Sequence, residues 1–254
     1  MTDQEALPPL DCHAHVAPNV TPDQVRALGR VVVIAVTRTL DEARAVSSRG
    51  DETLVWGCGV HPARHDAREG FQPALFRDLL RHFAVVGETG LDRRGGDLPR
   101  QREILRSVLD AAVDEPVLLS LHSTGCVTDL LELLGEHPHP GAILHWFLGD
   151  VDAVHEATAL GCYFSVNGAM GDEQLERIPL DRMLPETDFP ATKRHGGGRL
   201  PGDTTSLEER MARLLRIPQR ELRRRWYHNL RTVSVATGAI DRLPHPVADI
   251  LVPA

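Results

Sequence analysis

Eight short runs rich in Val, Ile and Leu recur along the sequence, each followed by a stretch of helical periodicity, and no other feature constrains the fold as much. The runs are PLDCHAH (9–15), VVVIAVT (31–37), TLVWGCGVH (53–61), FAVVGETGLD (83–92), PVLLSLH (116–122), GAILHWF (141–147), GCYFSVN (161–167) and RMLPETD (182–188). Between them LDEARAVSSR, PALFRDLLRHF, LPRQREILRSVLDAAV, VTDLLELLGEH and VDAVHEATAL read as helices, and residues 206–237 supply two more. Strands alternating with helices belong to parallel α/β architectures. Eight of them in 254 residues predict a closed (β/α)8 TIM barrel, one domain over 1–254, rather than an open doubly wound sheet. An open nucleotide-binding sheet would carry G-x-G-x-x-G after its first strand, or a G-x-x-x-x-G-K-[ST] loop, and neither occurs. The GGG run at Gly196–Gly198 has no strand-to-helix context and is expected to be a flexible loop.

No run approaches 18 consecutive apolar residues, and the polar, acidic start MTDQEALPPL is unlike a secretory signal, so a cytoplasmic protein is expected. The four cysteines, Cys12, Cys58, Cys126 and Cys162, form no C-x-x-C and fit reduced, buried thiols. A net charge of -8 excludes a protein that coats long duplex nucleic acid, whose affinity comes from neutralising many phosphates. Residues 191–231 nevertheless hold eleven Lys and Arg against four Asp and Glu. That stretch is either a small basic footprint or a solvated Arg-rich helix face, RELRRRWYHNLR, paired with acidic neighbours.

Ionisable residues collect at one end of the apolar runs. His13 and His15 close the first, His61 the third, Glu88 and Asp92 the fourth and His122 the fifth; His145 lies late in the sixth and Asp188 closes the eighth. A parallel barrel is filled by branched apolar side chains and carries its chemistry at the C-terminal strand ends. The H-x-H spacing alone says little, because 13 histidines produce roughly 0.7 such pairs by chance. A second pair, His137 and His139 in EHPHPG, lies in a turn-rich stretch and is expected to be solvent-exposed loop. In a strand, alternate side chains share a face, so His13 and His15 point one way while Cys12 and Ala14 point the other.

One divalent ion would be satisfied by His13, His15, Asp188 and a water, leaving an open catalytic position. Glu88, His122 and His145 suit a second, with the two oxygens of Glu88 bridging the pair. Two such ions activate water for attack on a phosphoryl or carbonyl centre. Some barrel hydrolases bridge their metals with a carboxylated lysine, but the single lysine here, Lys193, falls in a loop after the eighth run. The residue types admit Zn2+, Mg2+ or Mn2+.

The motifs DCHAH (11–15), GVHP (59–62), GETGLD (87–92), Gln101, LH (121–122), HWFLG (145–149), YFSVNG (163–168), ETDFP (186–190) and NLR (229–231) run in order over nearly the whole chain. Together they resemble the TatD family of metal-dependent deoxyribonucleases, within the amidohydrolase-like barrel hydrolases. The resemblance implies that His13, His15, Glu88, His122, His145 and Asp188 are metal ligands and that His61 stands near the scissile phosphate. It also implies a phosphodiesterase acting on DNA single strands or ends, 3'-5' exonuclease-like and dependent on Mg2+, Mn2+ or Zn2+. The HWF and YFSVN wording is similar to TatD-type nucleases of bacterial antiphage operons. The chain departs from the family at Thr124, where an Arg commonly stands, at ETDFPATKR, usually ETDxPYL, and at Leu148, usually Ser. The metal shell is thus retained while phosphate-gripping and pocket positions differ.

The mechanism expected from these residues has Asp188 as both ligand and base, and Glu88 as the bridge. His61 would donate a hydrogen bond to the phosphate or protonate the leaving oxygen. Glu186 is expected to orient a ligand, Asp92 to do the same or to cap a loop, and Trp146 and Phe147 to stack on a base or to pack in the core or at the rim. Two other functions use the same chain: an amide, lactone or aminoacyl-ester hydrolase, and a non-catalytic subunit binding nucleic acid or a partner protein through 191–231.

Overall fold

All eight expected strands form, each shorter than its apolar run: β1 (Leu10–Ala14), β2 (Val32–Ala35), β3 (Leu54–Cys58), β4 (Val85–Gly90), β5 (Leu118–His122), β6 (Ala142–Leu144), β7 (Tyr163–Val166) and β8 (Met183–Pro185). A computed structural model describes residues 6–191 and 198–252. The strands pair in chain order and every pairing is parallel. The ring closes just beyond the strand ends, where Asp188 N–H donates to the His13 carbonyl at 2.9 Å and His15 N–H donates to the Phe189 carbonyl at 2.8 Å. The fold is therefore the (β/α)8 barrel that the alternation predicts.

Between and after the strands lie α1 (Pro22–Ala27), α2 (Leu40–Val46), α3 (His65–Glu69), α4 (Pro73–Leu80), α5 (Leu98–Ala112) and α6 (Val127–Glu136). The C-terminal half adds α7 (Val151–Ala159), α8 (Asp172–Arg177), α9 (Thr205–Leu215), α10 (Gln219–Thr237) and α11 (His245–Leu251). Residues of β1 to β8 are buried throughout, because parallel strands meet packed side chains inside and helices outside. The helices that periodicity missed, α1, α3, α8 and α11, have five to seven residues, too few turns for a 3.6-residue pattern to emerge.

The ends of the runs leave the ladder. Trp146 and Asp188 adopt φ of +41° and +46°, in the left-handed region that a side chain disfavours, so the chain turns sharply at the mouth of the barrel. His61, His145 and Asp188 accordingly stand one to three residues past β3, β6 and β8, where side chains can converge. Gly90 performs a related task inside β4. Its φ is +142°, and a Cβ there would sit 2.1 Å from the His122 carbonyl oxygen on β5. Gly90→Ala is expected to destabilise the fold by about 2–4 kcal/mol, read from urea unfolding, because β4 and β5 must separate where Glu88 and His122 meet.

The Arg-rich helix lies at the opposite end of the barrel from these loops. Arg223 of α10 donates to the Leu7 carbonyl ahead of β1, and Asn229 donates to the carbonyls of Leu180 and Met183 at the start of β8. Arg223 also pairs with the buried Glu208 of α9, and Arg225 with Glu221 on the solvated face, so both arginines have acidic neighbours. His139 corrects an expectation. It is buried rather than exposed: its ring accepts from Gly141 N–H at 3.0 Å and lies 3.2 Å from the Ala112 carbonyl, pinning the turn into β6. Lys193, Gly196 and Gly197 lie outside the described residues, and Gly198 is buried against the Thr187 side chain. All four cysteines are buried and free. No helix among the described residues is long and apolar enough to cross a membrane.

Candidate metal centre

Glu88, on β4, lies at the centre of the barrel mouth, and its two oxygens face different histidines. Oε1 is 2.5 Å from His122 Nδ1 and 3.4 Å from His145 Nε2. Oε2 is 3.2 Å from His15 Nε2, 3.3 Å from His61 Nε2 and 3.8 Å from His13 Nε2. Asp188 enters from the far side, its Oδ1 3.6 Å from His15 Nε2 and 3.9 Å from His13 Nε2. Donors about 2.1 Å from one tetrahedral ion stand about 3.4 Å apart. The spacing among His13, His15, Glu88 and Asp188 is of that size.

Buried polar atoms are almost always hydrogen-bonded, and here several are not. His13 Nε2, His15 Nδ1, Glu88 Oε2 and His122 Nδ1 are buried without a hydrogen-bond partner; even the short His122–Glu88 approach lacks hydrogen-bond alignment. His13 Nε2, Glu88 Oε2 and His122 Nδ1 converge with His15 Nε2, and such a donor set fits divalent cations.

Partners behind the ring hold His13, His145 and His122 in place. His13 Nδ1 is 2.7 Å from Ser120 Oγ on β5, which leaves Nε2 facing Glu88. His145 Nδ1 lies 3.1 Å from Glu186 Oε2, and Glu186 is itself bonded by Ser165 and by Asn167 Nδ2 at 2.9 Å. Asp92 takes both roles weighed for it. Its Oδ2 is 2.9 Å from His122 Nε2, and its Oδ1 accepts the Arg94 backbone N–H at 2.7 Å. Gln101 on α5 clamps the Asp92 backbone from both sides, accepting its N–H at 2.7 Å and donating to its carbonyl at 2.9 Å. Carboxylates that orient a ligating imidazole typically contribute about 10–100-fold to metal affinity. Glu186→Gln is therefore expected to weaken metal binding by about that factor, measured by competitive chelator titration.

His61 is different. Its Nδ1 accepts the Ala63 backbone N–H at 3.1 Å, so the neutral ring carries its proton on Nε2, the atom facing Glu88. His61, Glu88 and His122 are close enough to share an ion. The tautomer makes His61 a hydrogen-bond donor instead. Burial also holds its ring down at about 4, against the pull of Glu88.

The charges follow from the same packing. Burial would lift Glu88, but His122, His145 and His15 hold it well below the usual carboxylate range. Burial opposes protonation of His145 and His122, yet Glu186 and Glu88 raise the first well above its ordinary value, and Glu88 and Asp92 raise the second. His13, buried and next to His145, is pushed well below. Asp188 is lifted to about 6 by burial, against the attraction of His145. The field that keeps protons on His122 and His145 is one that attracts cations, since metal and proton compete for the same atoms.

Several of these partners were not singled out from sequence. Asp11 is wholly buried and ties β1 to the β8 end, accepting from Thr187 N–H at 2.8 Å, Thr187 Oγ1 at 2.6 Å and Gly202 N–H at 2.7 Å. Burial lifts its carboxyl to about 7 despite these bonds. Ser120 is two residues before His122, and Ser165 two before Asn167; a polar residue sharing the inner face of a strand with a site residue was the available signal. Of the two alternatives for Phe147, stacking on a base or packing in the core or rim, the structure takes the second. Only 1% exposed and 5.3 Å from Phe164, ring centre to ring centre, it packs in the core and offers no face to a base. Trp146, next to it, is half-buried.

The sequence pattern of a family described as TatD related DNase matches residues 10–234. The chain is 33% identical over 179 residues to a 3'-5' ssDNA/RNA exonuclease TatD of Edwardsiella piscicida, covering 63% of this chain and 67% of that protein. It is 27% identical over 180 residues to YabD, an uncharacterized metal-dependent hydrolase of Bacillus subtilis, covering 65% and 70%. The crystal structure of YJJV, a TatD homologue from Escherichia coli, superposes with a TM-score of 0.74 over 88% of this chain and 97% of its own, at 20% identity. A TatD family hydrolase from Entamoeba histolytica gives 0.70 over 90% and 98%, at 16% identity. At those identities the structures speak for the fold, and the sequence matches carry the kinship. With a family pattern spanning both the first histidine pair and the last strand's aspartate, this chain belongs to the TatD-related DNases, a family of metal-dependent hydrolases.

Proposed function

We propose that this protein is a two-metal phosphodiesterase that removes nucleotides from the ends of single-stranded DNA, working as one hydrolase domain in the cytoplasm. The observation that carries the reading is the division of Glu88, whose Oε1 faces His122 and His145 while Oε2 faces His13 and His15. One cation would be held by His13, His15, Asp188 and Glu88, the other by Glu88, His122 and His145. A set of four imidazoles with two carboxylates suits Zn2+ and Mn2+, with Mg2+ the weaker fit. Bound there, the cations would supply positive charge to a phosphoryl group and acidify water.

The rest is done by the chain. The Asp188 carboxylate has two oxygens, so with one on a cation the other would take the proton of the attacking water. His61 donates its Nε2 proton to a phosphate oxygen as a hydrogen bond. Full transfer from His61 to the leaving oxygen is disfavoured, because the ring is neutral and its Nδ1 already accepts from Ala63, so the leaving oxygen takes back the proton that Asp188 removed from water. Glu186 and Asp92 keep His145 and His122 turned inward. Trp146, half-buried beside His145, offers the terminal base a stacking edge. The Edwardsiella relative, a 3'-5' exonuclease of single-stranded DNA and RNA, supports both the bond and the direction.

The test is an incubation of purified protein with end-labelled DNA and RNA oligonucleotides and with a panel of cyclic amides and esters, each with Zn2+, Mn2+ or Mg2+. Stepwise release of mononucleotides from the 3' end, abolished by EDTA, is the expected result. Amide or ester turnover without nucleotide release overturns it.

A further inference from the structure

The barrel mouth is built mainly from carboxylates and histidines, and a polyanionic strand needs cations as well. Arginines lie on the loops after β2, β3 and β4. Arg38 is paired with Glu42, Arg64 with Asp66, and Arg93 donates from Nε to the Gly125 carbonyl at 2.9 Å. Arg94 differs from Arg38 and Arg64 in exposure and from Arg93 in standing against a site carboxylate. Its side chain is 75% exposed, twice as much as that of Arg38 or Arg64, while Nη2 stands 3.2 Å from Asp92 Oδ2. That same Asp92 oxygen bonds His122 Nε2, so the guanidinium sits at the rim directly behind a metal-site histidine. Nη2 also comes within 3.5 Å of Thr124 Oγ1, and the Arg93 N–H bond to the Thr124 carbonyl, 3.0 Å, fixes the loop against the end of β5.

We propose that Arg94 grips a phosphate adjacent to the one being cut, and so makes the enzyme prefer nucleic-acid chains over isolated phosphodiesters. This rests on the phosphodiesterase reading above. The scissile phosphate itself is out of reach, because Asp92 and the His122 ring stand between the guanidinium and Glu88. A guanidinium fork has five donors and matches phosphate oxygens in pairs; Asp92 engages Nε at 3.4 Å and Nη2 at 3.2 Å, which leaves Nη1 and the second Nη2 hydrogen for other acceptors. Both contacts are longer than the usual charge-assisted distance of about 2.9 Å, and the buried Asp92 keeps His122 Nε2 and the Arg94 N–H as partners when the guanidinium turns toward a phosphate. The backbone cap of Asp92 on Arg94 N–H keeps the loop in place as the side chain turns.

The experiment compares wild type, Arg94→Ala and Arg94→Lys, all metal-loaded, on a tetranucleotide and on a dinucleoside monophosphate, which has no neighbouring phosphate. Arg94→Ala is expected to lower kcat/KM on the tetranucleotide about tenfold, through KM, and to change the dinucleoside monophosphate less than about twofold. The salt dependence of tetranucleotide cleavage should flatten by about 0.7 in log–log slope, the release of one counterion from a single strand. Arg94→Lys should recover part of the loss, since it keeps the charge without the fork. Equal losses on both substrates would place Arg94 behind Asp92 and His122 as a positioning residue and overturn the proposal, as would no loss on either. If the wild type cleaves neither substrate, the phosphodiesterase reading fails separately. Binding of a fluorescent single strand at low salt then decides Arg94, and affinity unchanged in Arg94→Ala sinks it.

Discussion

Asp188→Asn is expected to lower kcat/KM on a single-stranded oligonucleotide by about 10²–10⁴, the usual range for loss of a general base, while the barrel stays folded. The fold is spared because the ring closure at this point uses the backbone: Asp188 N–H to the His13 carbonyl. The same substitution should make the EDTA-treated protein more stable at pH 7.5. Burial raises the Asp188 carboxyl from 3.8 to about 6 in the folded chain, so between those values the native state binds a proton that the unfolded state has lost. Stability contributed by this group therefore falls as pH rises, and above pH 6 the ionised side chain costs about 1–3 kcal/mol. Asparagine removes that cost. Thermal melts of both proteins in EDTA should show the variant ahead at pH 7.5, with the gain disappearing between about pH 6 and pH 4. A variant that keeps full activity would remove Asp188 from the mechanism.

Glu88→Gln should be as damaging to activity and opposite in its effect on stability. It deprives both proposed cation positions of their shared carboxylate, so metal bound per chain, measured by elemental analysis after dialysis, should fall sharply, and turnover with it. Glu88 is held well below its ordinary range by His122 and its neighbours, so its ionised form stabilises the fold above the unfolded carboxylate range, and that stability is lost only in acid. Removing one partner from a buried charged cluster typically costs about 3–5 kcal/mol. The EDTA-treated Glu88→Gln protein should thus melt earlier than wild type at neutral pH, where Asp188→Asn melts later. Two acids within reach of the same His15 nitrogen then separate by experiment into one that the fold depends on and one that it tolerates for chemistry.

Much of the site could be read before any coordinates, because a parallel barrel converts strand ends into neighbours. His13, His122 and Glu88 are far apart in sequence yet all lie on β1, β5 and β4 within the first layer of the mouth. Residues behind them were harder to read. Ser120, Ser165 and Asp11 look like ordinary polar residues in apolar runs, and their value depends on which strand stands opposite. HWF left stacking and packing open for Phe147, and the sharp turn at Trp146 is accompanied by a Phe147 ring packed inward on Phe164. His139 was misread because a proline-rich stretch suggests solvent, whereas the turn into β6 is packed under the barrel against α5.

The order of apolar runs, the two-residue alternation inside them and the polar residues at their ends were sufficient, without coordinates, to determine a (β/α)8 barrel with a histidine and carboxylate centre at its mouth. Those are local patterns, and a local pattern determines which face a side chain takes. Which atom of that side chain does the work was decided only by tertiary structure. His13 presents Nε2 because Ser120, 107 residues away, occupies Nδ1; His122 presents Nδ1 because Asp92 occupies Nε2; and His61 is a donor because a backbone N–H occupies its acceptor. An imidazole has two nearly equivalent nitrogens, and only a partner brought up from elsewhere in the fold breaks that equivalence.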